Sequence, residues 1–324
     1  MDGSSEIGRE EARFREVFRT LHADHLACAG DEWLTAPCTG PDGKPVARPI
    51  VWSRRNGPWT RVEVLWVGAA PGNRGGRGSG DMGAHGTRIP FGGDVAGANL
   101  DVLLGSIGLD RNTTFITAAL NQLPARGGGE PTPAEIVSPA GNYRSSLHAL
   151  RDTVLAAGPR LIVALGNVAL RATVAAGVVD AAPPARKSGD PGSALWLPTA
   201  ARLEKLGFRR GEPAVWTEFA PPDPAFVRAW HDNWGDAPLP AILWLTHPSA
   251  QNMSPFAGRH TAFHRRMVEA RDALRGAARR VLGREPPRVR PEPPATGIYA
   301  LPEWVSRIGP YHARLDRLWR EHGL

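Results

Sequence analysis

Four short apolar runs constrain the fold more than any other feature of this chain. They read "VEVLWVG" (62–68), "TTFITAAL" (113–120), "RLIVALG" (160–166) and "AILWLT" (241–246). Each is too short for a typical helix, carries β-branched or aromatic residues, and shows no alternation of polar with apolar positions. A strand that is apolar on both sides belongs in a sheet covered on both faces. Helical patterns lie between the runs. "DVAGANLDVLLGSIG" (94–108) opens on Asp94, a good N-cap, and sets Leu100, Leu103, Leu104 and Ile107 along one side. "SSLHALRDTVLAAG" (145–158) and "NVALRATVAAG" (167–177) follow, the second opening on another N-cap candidate, Asn167. The alternation predicts an α/β protein, a three-layer α/β/α sandwich around a central four-stranded parallel sheet.

Sheets of this kind bind ligands outside the carboxyl ends of their strands. Those ends are Gly68–Gly72, Ala118–Pro124, Gly166–Asn167 and His247–Asn252. His247 therefore stands where a strand stops, in front of a proline that cannot continue it. Around this sheet the chain divides into residues 1–60, an amphipathic helix over 5–26 and a loop-rich connector; residues 61–283, the sheet domain; and residues 284–324, a proline-rich linker and a helix expected to dock on the core. Residues 180–238 are an insertion without clear periodicity, bearing Trp196, Trp216, Trp230 and Trp234.

Composition narrows the class. Hydrophobic residues make up 42% of 324, enough for a substantial core, and the net charge is +7. The 39 basic residues are mostly Arg, whose fork suits phosphate, although a coding bias towards Arg, Ala, Gly and Pro gives the same excess. Two cysteines, Cys28 and Cys38, make no disulfide framework. No stretch approaches the roughly 18 apolar residues of a membrane span, and the polar, acidic start is not a signal peptide. A cytoplasmic monomer without membrane contact is expected.

Two local patterns lack their required context. "GSGDMG" (78–83) matches G-x-G-x-x-G, but the preceding strand ends ten residues earlier and no helix opens after Gly83. His22, His25, Cys28 and Cys38 could in principle ligate zinc, but their spacing matches no common site and His22 and His25 equally suit a solvated helix face. No metal and no cofactor are expected.

The strand ends carry more when taken together. "VGAAPG" (67–72), "FGGDVAG" (91–97), "GLDR" with "IT" and Pro124 (108–124), "PTPAEI" (131–136), "PRLIVALGNVAL" (159–170) and "HPS" (247–249) follow in order. In these motifs, over about residues 62–175 and 241–275, the chain resembles the uracil-DNA glycosylase superfamily, and looks most similar to the branches that carry an iron–sulfur cluster. The resemblance implies a parallel four-stranded sheet, base flipping, and hydrolysis of an N-glycosidic bond without a cofactor.

The chain departs from those relatives at informative places. Gln122 and about Pro139 stand where two cluster cysteines are found, and Cys28 and Cys38 are too widely spaced for the other pair, so no cluster is expected. Ala69 replaces the glutamate of a "GEAPG" motif. Another branch instead uses an aspartate in "TGD", matched here by Asp94 in "GGD". Asp94 is thus the candidate catalytic carboxylate, orienting a water or stabilising an oxocarbenium-like sugar, besides its reading as a plain N-cap. Ala118 replaces the asparagine that reads the uracil edge, with Asn121 available to substitute. The base pocket is expected from Gly68, Ala69, Ala70, Pro71, Gly72, Phe91, Ala118 and Asn121. Ala69, Ala118 and the Gly-rich loop 72–86 remove bulk there, which points to a base other than uracil.

His247 matches the family histidine that donates a hydrogen bond to the departing base. The following "SAQNMSPFAGRH" resembles the loop that enters DNA, with Met253 and Phe256 as apolar wedges and Ser249, Gln251 and Asn252 near phosphate or the orphan base. Asn167, Arg259 and Arg265 complete the expected DNA contacts, with His260 and Arg266 beside them. No lysine lies in the matched motifs, so lyase chemistry is not expected. The implied function is a monofunctional glycosylase acting on double-stranded DNA that contains a modified or damaged pyrimidine, such as hypermodified cytosine of phage DNA. Uracil removal in base-excision repair and a catalytically inactive DNA-binding module are the alternatives.

Overall fold

The computed structural model describes residues 3–21, 38–39, 45–46, 61–70, 89, 91–120, 124, 130–139, 142–180, 198–216 and 221–324. The expected runs are all strands: β1 (Val64–Gly68), β2 (Phe115–Ala118), β3 (Leu161–Leu165) and, last in the chain, β5 (Ala241–Leu245). All 19 of their residues are buried, which explains the unbroken apolar character. They pair in parallel in the order β2-β1-β3-β5.

A fifth strand corrects the expected count. β4 (Pro213–Val215) lies antiparallel to β5 at the sheet edge and comes from the insertion. It is three residues long and begins with proline, which an edge position tolerates. The insertion also forms α6 (Ala200–Lys205) and α7 (Pro224–Trp234), where the sequence shows no clear period.

Among the described residues, further α-helices complete the layers: α1 (Gly3–Leu21), α2 (Val95–Ser106), α3 (Pro133–Val137), α4 (Ser146–Ala157), α5 (Asn167–Ala176), α8 (Ala262–Ala277) and α9 (Gly309–Glu321). Strand residues alternate between two cores. Leu65, Val67, Phe115, Ile162, Ala164, Ile242 and Trp244 pack towards α1, α4, α5 and α7. Val64, Trp66, Ile116, Leu161, Val163, Leu165, Leu243 and Leu245 pack towards α2, α8 and α9. Each fully buried Val, Leu or Ile contributes about 1.5–3 kcal/mol, so both layers are needed to hold the sheet.

The helix α2 is buried almost all round rather than along one side. Its second face is covered by α9, whose Leu315 and Trp319 are fully buried. Among the described residues no helix is long and apolar enough to cross a membrane.

Candidate functional site

The carboxyl edge of the sheet brings distant motifs together. Gly68 at the end of β1 is the register partner of Ala118 at the end of β2, and the pairing runs on through Ala119 N–H to Gly68 O (2.9 Å) and Leu120 N–H to Ala69 O (3.0 Å). After β3, Gly166 adopts φ +93 and donates its N–H to Leu245 O at 2.8 Å. A side chain there would be strained, and its Cβ would lie 3.4 Å from the Cβ of His247. Thus β3 and β5 deliver Gly166 and His247 side by side.

Phe91 fills the gap between β1 and His247. Its ring centroid is 5.9 Å from that of His247, and a Cβ on Gly68 would lie 3.0 Å from the Phe91 ring. Phe91 has φ +54, unusual for a bulky residue. Arg111 holds it there: Nη2 donates to Phe91 O (2.9 Å) and Gly97 O (3.3 Å), and Nε donates to Asp101 Oδ1 (2.6 Å). Its guanidinium also stacks on Trp304 at 5.1 Å. Gly97 has no alternative, because a Cβ would sit 1.7 Å from Phe91 O. Asp101 also contacts His312 Nδ1 at 2.6 Å. Burial pushes the Asp101 carboxyl up, but the charges of Arg111 and His312 and their hydrogen bonds outweigh it and hold Asp101 below the usual carboxylate range.

Asp94 is the N-cap of α2, with extended backbone (φ −137°, ψ 178°) and Oδ1 accepting from Gly97 N–H at 2.9 Å. The capping role is therefore real. It leaves Oδ2 without a partner among the described residues, on a carboxylate at the positive end of the α2 dipole. His247 is partly exposed yet set deep among protein atoms. Burial lowers its pKa, and the charge of Asp94 opposes the lowering. The imidazole is thus neutral near pH 7, close enough to Asp94 to feel its charge.

The segment after His247 departs from the expectation at two residues. Met253 is completely buried and belongs to the same core cluster as Leu243, Leu245 and Met267, so it is core and not a DNA wedge. Asn252 is committed to the loop, its Nδ2 donating to His247 O (3.0 Å) and Ser249 Oγ (3.2 Å). Phe256, in a 3-10 turn over Pro255–Ala257, is 60% exposed, and Gln251 is exposed as well. Arg259 and Arg265 are exposed near the start of α8; Arg259 donates to Glu321 O, and Arg265 lies 3.9 Å from Glu269. Asn167 is not an N-cap: Gly166 takes that place, and Asn167 is the exposed first residue of α5.

Two residues of this edge were not read from the sequence. Asn99, buried in α2, donates through Nδ2 to Pro248 O (2.8 Å) and Met253 O (2.9 Å), tying the loop to the helix. A lone amide inside the apolar "VAGANLDVLLGS" was the available signal, since a buried polar side chain needs partners. Arg210, from the insertion, stacks 4.5 Å from the Trp244 ring and donates to Asn167 Oδ1 at 3.3 Å. With Glu204, Lys205 and Arg209 it lines an open groove of about 700 Å³ over Trp244.

Pro71, Gly72, Asn121, Gln122, the "GSGDMG" stretch, and His22, His25 and Cys28 lie outside the described residues. Among the described residues no group of three or more His, Cys, Asp or Glu could hold a metal ion. A four-thiolate iron–sulfur cluster does not fit a chain with two cysteines.

No curated protein matches the chain. A family model does: that of the uracil DNA glycosylase superfamily, over residues 56–272, about two thirds of the length. That span contains every strand of the sheet, Asp94, His247 and the loop to Arg259. The chain belongs to the uracil DNA glycosylase superfamily.

Proposed function

We propose that the protein is a monofunctional DNA glycosylase that flips a modified or damaged pyrimidine nucleotide out of double-stranded DNA and hydrolyses its base–sugar bond. The observation that carries this reading is that Asp94 and His247, 153 positions apart, are both joined to Phe91 at one edge of the sheet, Asp94 through Gly97 and His247 through its ring, with the Asp94 charge acting on His247. As the C1′–N bond breaks, its electron pair leaves with the base. A ring N–H of neutral His247 donates to the base oxygen on which that charge collects. The Asp94 carboxylate stabilises the cationic sugar and orients the water that adds at C1′; the proton this water loses passes through Asp94 to solvent, and the base anion takes one up as it departs, leaving an abasic site and the neutral free base. Phe91, packed against His247, supplies an apolar wall for the flipped base.

Phe256 is the wedge candidate, being the exposed aromatic on the loop. Asn167, Arg210, Arg259 and Arg265 are exposed and suit the DNA backbone, and Ser249 and Gln251, on the loop after His247, are further candidates to contact it. The methyl groups of Ala69 and Ala118 cannot hydrogen-bond a base, which favours an enlarged base over uracil. Hypermodified cytosine of phage DNA is such a class, and its removal would act in defence rather than repair.

Duplexes containing uracil, hydroxymethylcytosine or glucosylated hydroxymethylcytosine test the reading through alkali-labile sites. Release of an enlarged base is expected. Efficient release of uracil alone would overturn the target and keep the reaction. Binding to DNA with release from none of these or from other damaged duplexes would leave a DNA-binding module.

A further inference from the structure

The C-terminal helix α9 lies beyond the family-matched residues, yet its last turn and the residue after it reach the loop that follows His247 directly at two points, and through Asn99 of α2 at a third. Trp319 Nε1 donates to Asn99 Oδ1 at 2.7 Å, and the same Asn99 amide holds Pro248 O and Met253 O. His322 Nε2 lies 3.0 Å from Pro255 O, in the turn that presents Phe256; a carbonyl can only accept, so this nitrogen carries the proton. Glu321 O accepts from Arg259.

The loop has little regular structure of its own. Its internal hydrogen bonds are a tight turn, Asn252 N–H and Met253 N–H to Ser249 O (2.9 and 2.8 Å), the Asn252 side chain, and Ala257 N–H to Ser254 O (3.3 Å) in the turn of Phe256. Such a segment must nonetheless keep His247 in the pocket and Phe256 against the duplex at once. Asn99 and Trp319 are both fully buried, so their hydrogen bond is shielded from water and fixes the amide orientation. The chain Trp319–Asn99–Pro248/Met253 connects a helix outside the family core to the residues that flank the proposed catalytic histidine.

We propose that α9 is a clamp on the site and that Trp319 is a positioning residue, setting the place of His247 and Phe256 through Asn99. Its catalytic consequence rests on the glycosylase reading above; its structural consequence does not.

Trp319→Phe keeps the aromatic packing and removes the N–H. Trp230→Phe is the matched control: Trp230 is also fully buried and donates Nε1–H to Ala237 O at 2.8 Å, but it packs on the opposite face of the sheet. Amide hydrogen exchange of Asn252 and Met253 is read first. Trp319→Phe is expected to raise their exchange at least tenfold relative to β3 and β5, and Trp230→Phe to leave that ratio unchanged. Single-turnover base release by Trp319→Phe should fall about tenfold to a hundredfold, with the DNA Kd within threefold of wild type. Should Trp319→Phe fail to fold, Asn99→Leu removes the same chain of hydrogen bonds and is expected to show the same pattern. Unchanged loop exchange, equal loosening in both tryptophan variants, or a loosened loop with undiminished base release would overturn the clamp. If the wild type releases no base from any duplex, the glycosylase reading fails while the exchange comparison still decides the clamp.

Discussion

The rings of Phe91 and His247 lie 5.9 Å apart, tilted by 35°. Phe91 keeps this position only with a left-handed backbone, at a cost of about 1–3 kcal/mol. Arg111, Asp101 and the bare Cα of Gly97 hold it there. Strain maintained by the largely buried Arg111–Asp101 ion pair, at the edge of the sheet that carries His247 and Asp94, is a sign of a prearranged site.

Asp94 both caps α2 and carries charge, and two substitutions separate these roles. Asn caps nearly as well as Asp, whereas Ala does not. Asp94→Asn should therefore change stability by less than about 0.5 kcal/mol, while Asp94→Ala should cost about 1 kcal/mol. Urea unfolding checks both values.

The titration of His247 reports on its neighbour. Burial sets its pKa below 6.5, and the Asp94 charge is the opposing influence. Asp94→Asn removes that opposition, so the His247 ring signals in NMR should titrate at a still lower pH. An unchanged titration would mean that the two groups do not interact. An unfolded chain takes up this proton near pH 6.5, the folded one only below it, so the contribution of neutral His247 is full above about pH 6.5 and is lost as the pH falls through the folded pKa. His148 is lowered by burial in the same direction, so residue-specific NMR is needed rather than a global melting curve.

Two apolar residues of one loop should behave oppositely. Met253→Ala removes a fully buried side chain and should cost about 2–5 kcal/mol. Phe256→Ala should change stability by less than about 0.5 kcal/mol but slow base release from duplex more than from single-stranded DNA. Thermal unfolding and a duplex-against-single-strand rate comparison check the pair.

Arg210 is held by Trp244 and Asn167 at the margin of the site. If it neutralises a phosphate, Arg210→Ala should weaken binding irrespective of sequence and reduce the slope of log Kd against log salt by about 1. Fluorescence anisotropy over a salt series measures this.

The sheet was legible because strands buried on both faces leave continuous apolar runs. β4 was not, since a three-residue edge strand opening with Pro213 has no periodicity to detect. Asp94 could be found locally, as an N-cap residue in a recognisable motif. Asn99 and Trp319 could not be paired from the sequence, because 220 positions separate them and only packing of α9 on α2 brings them together. Met253 misled for a related reason: a methionine in a polar loop reads equally as wedge or core, and the decision lies in the cover provided by α2 and α8.

The most direct test of a catalytic Asp94–His247 site is single-turnover base release by Asp94→Asn, measured on the duplex the wild type processes best, beside its affinity for that duplex. A fall of at least a hundredfold in rate is expected, with Kd within threefold of wild type and an intact fold. Release at the wild-type rate would contradict the assignment.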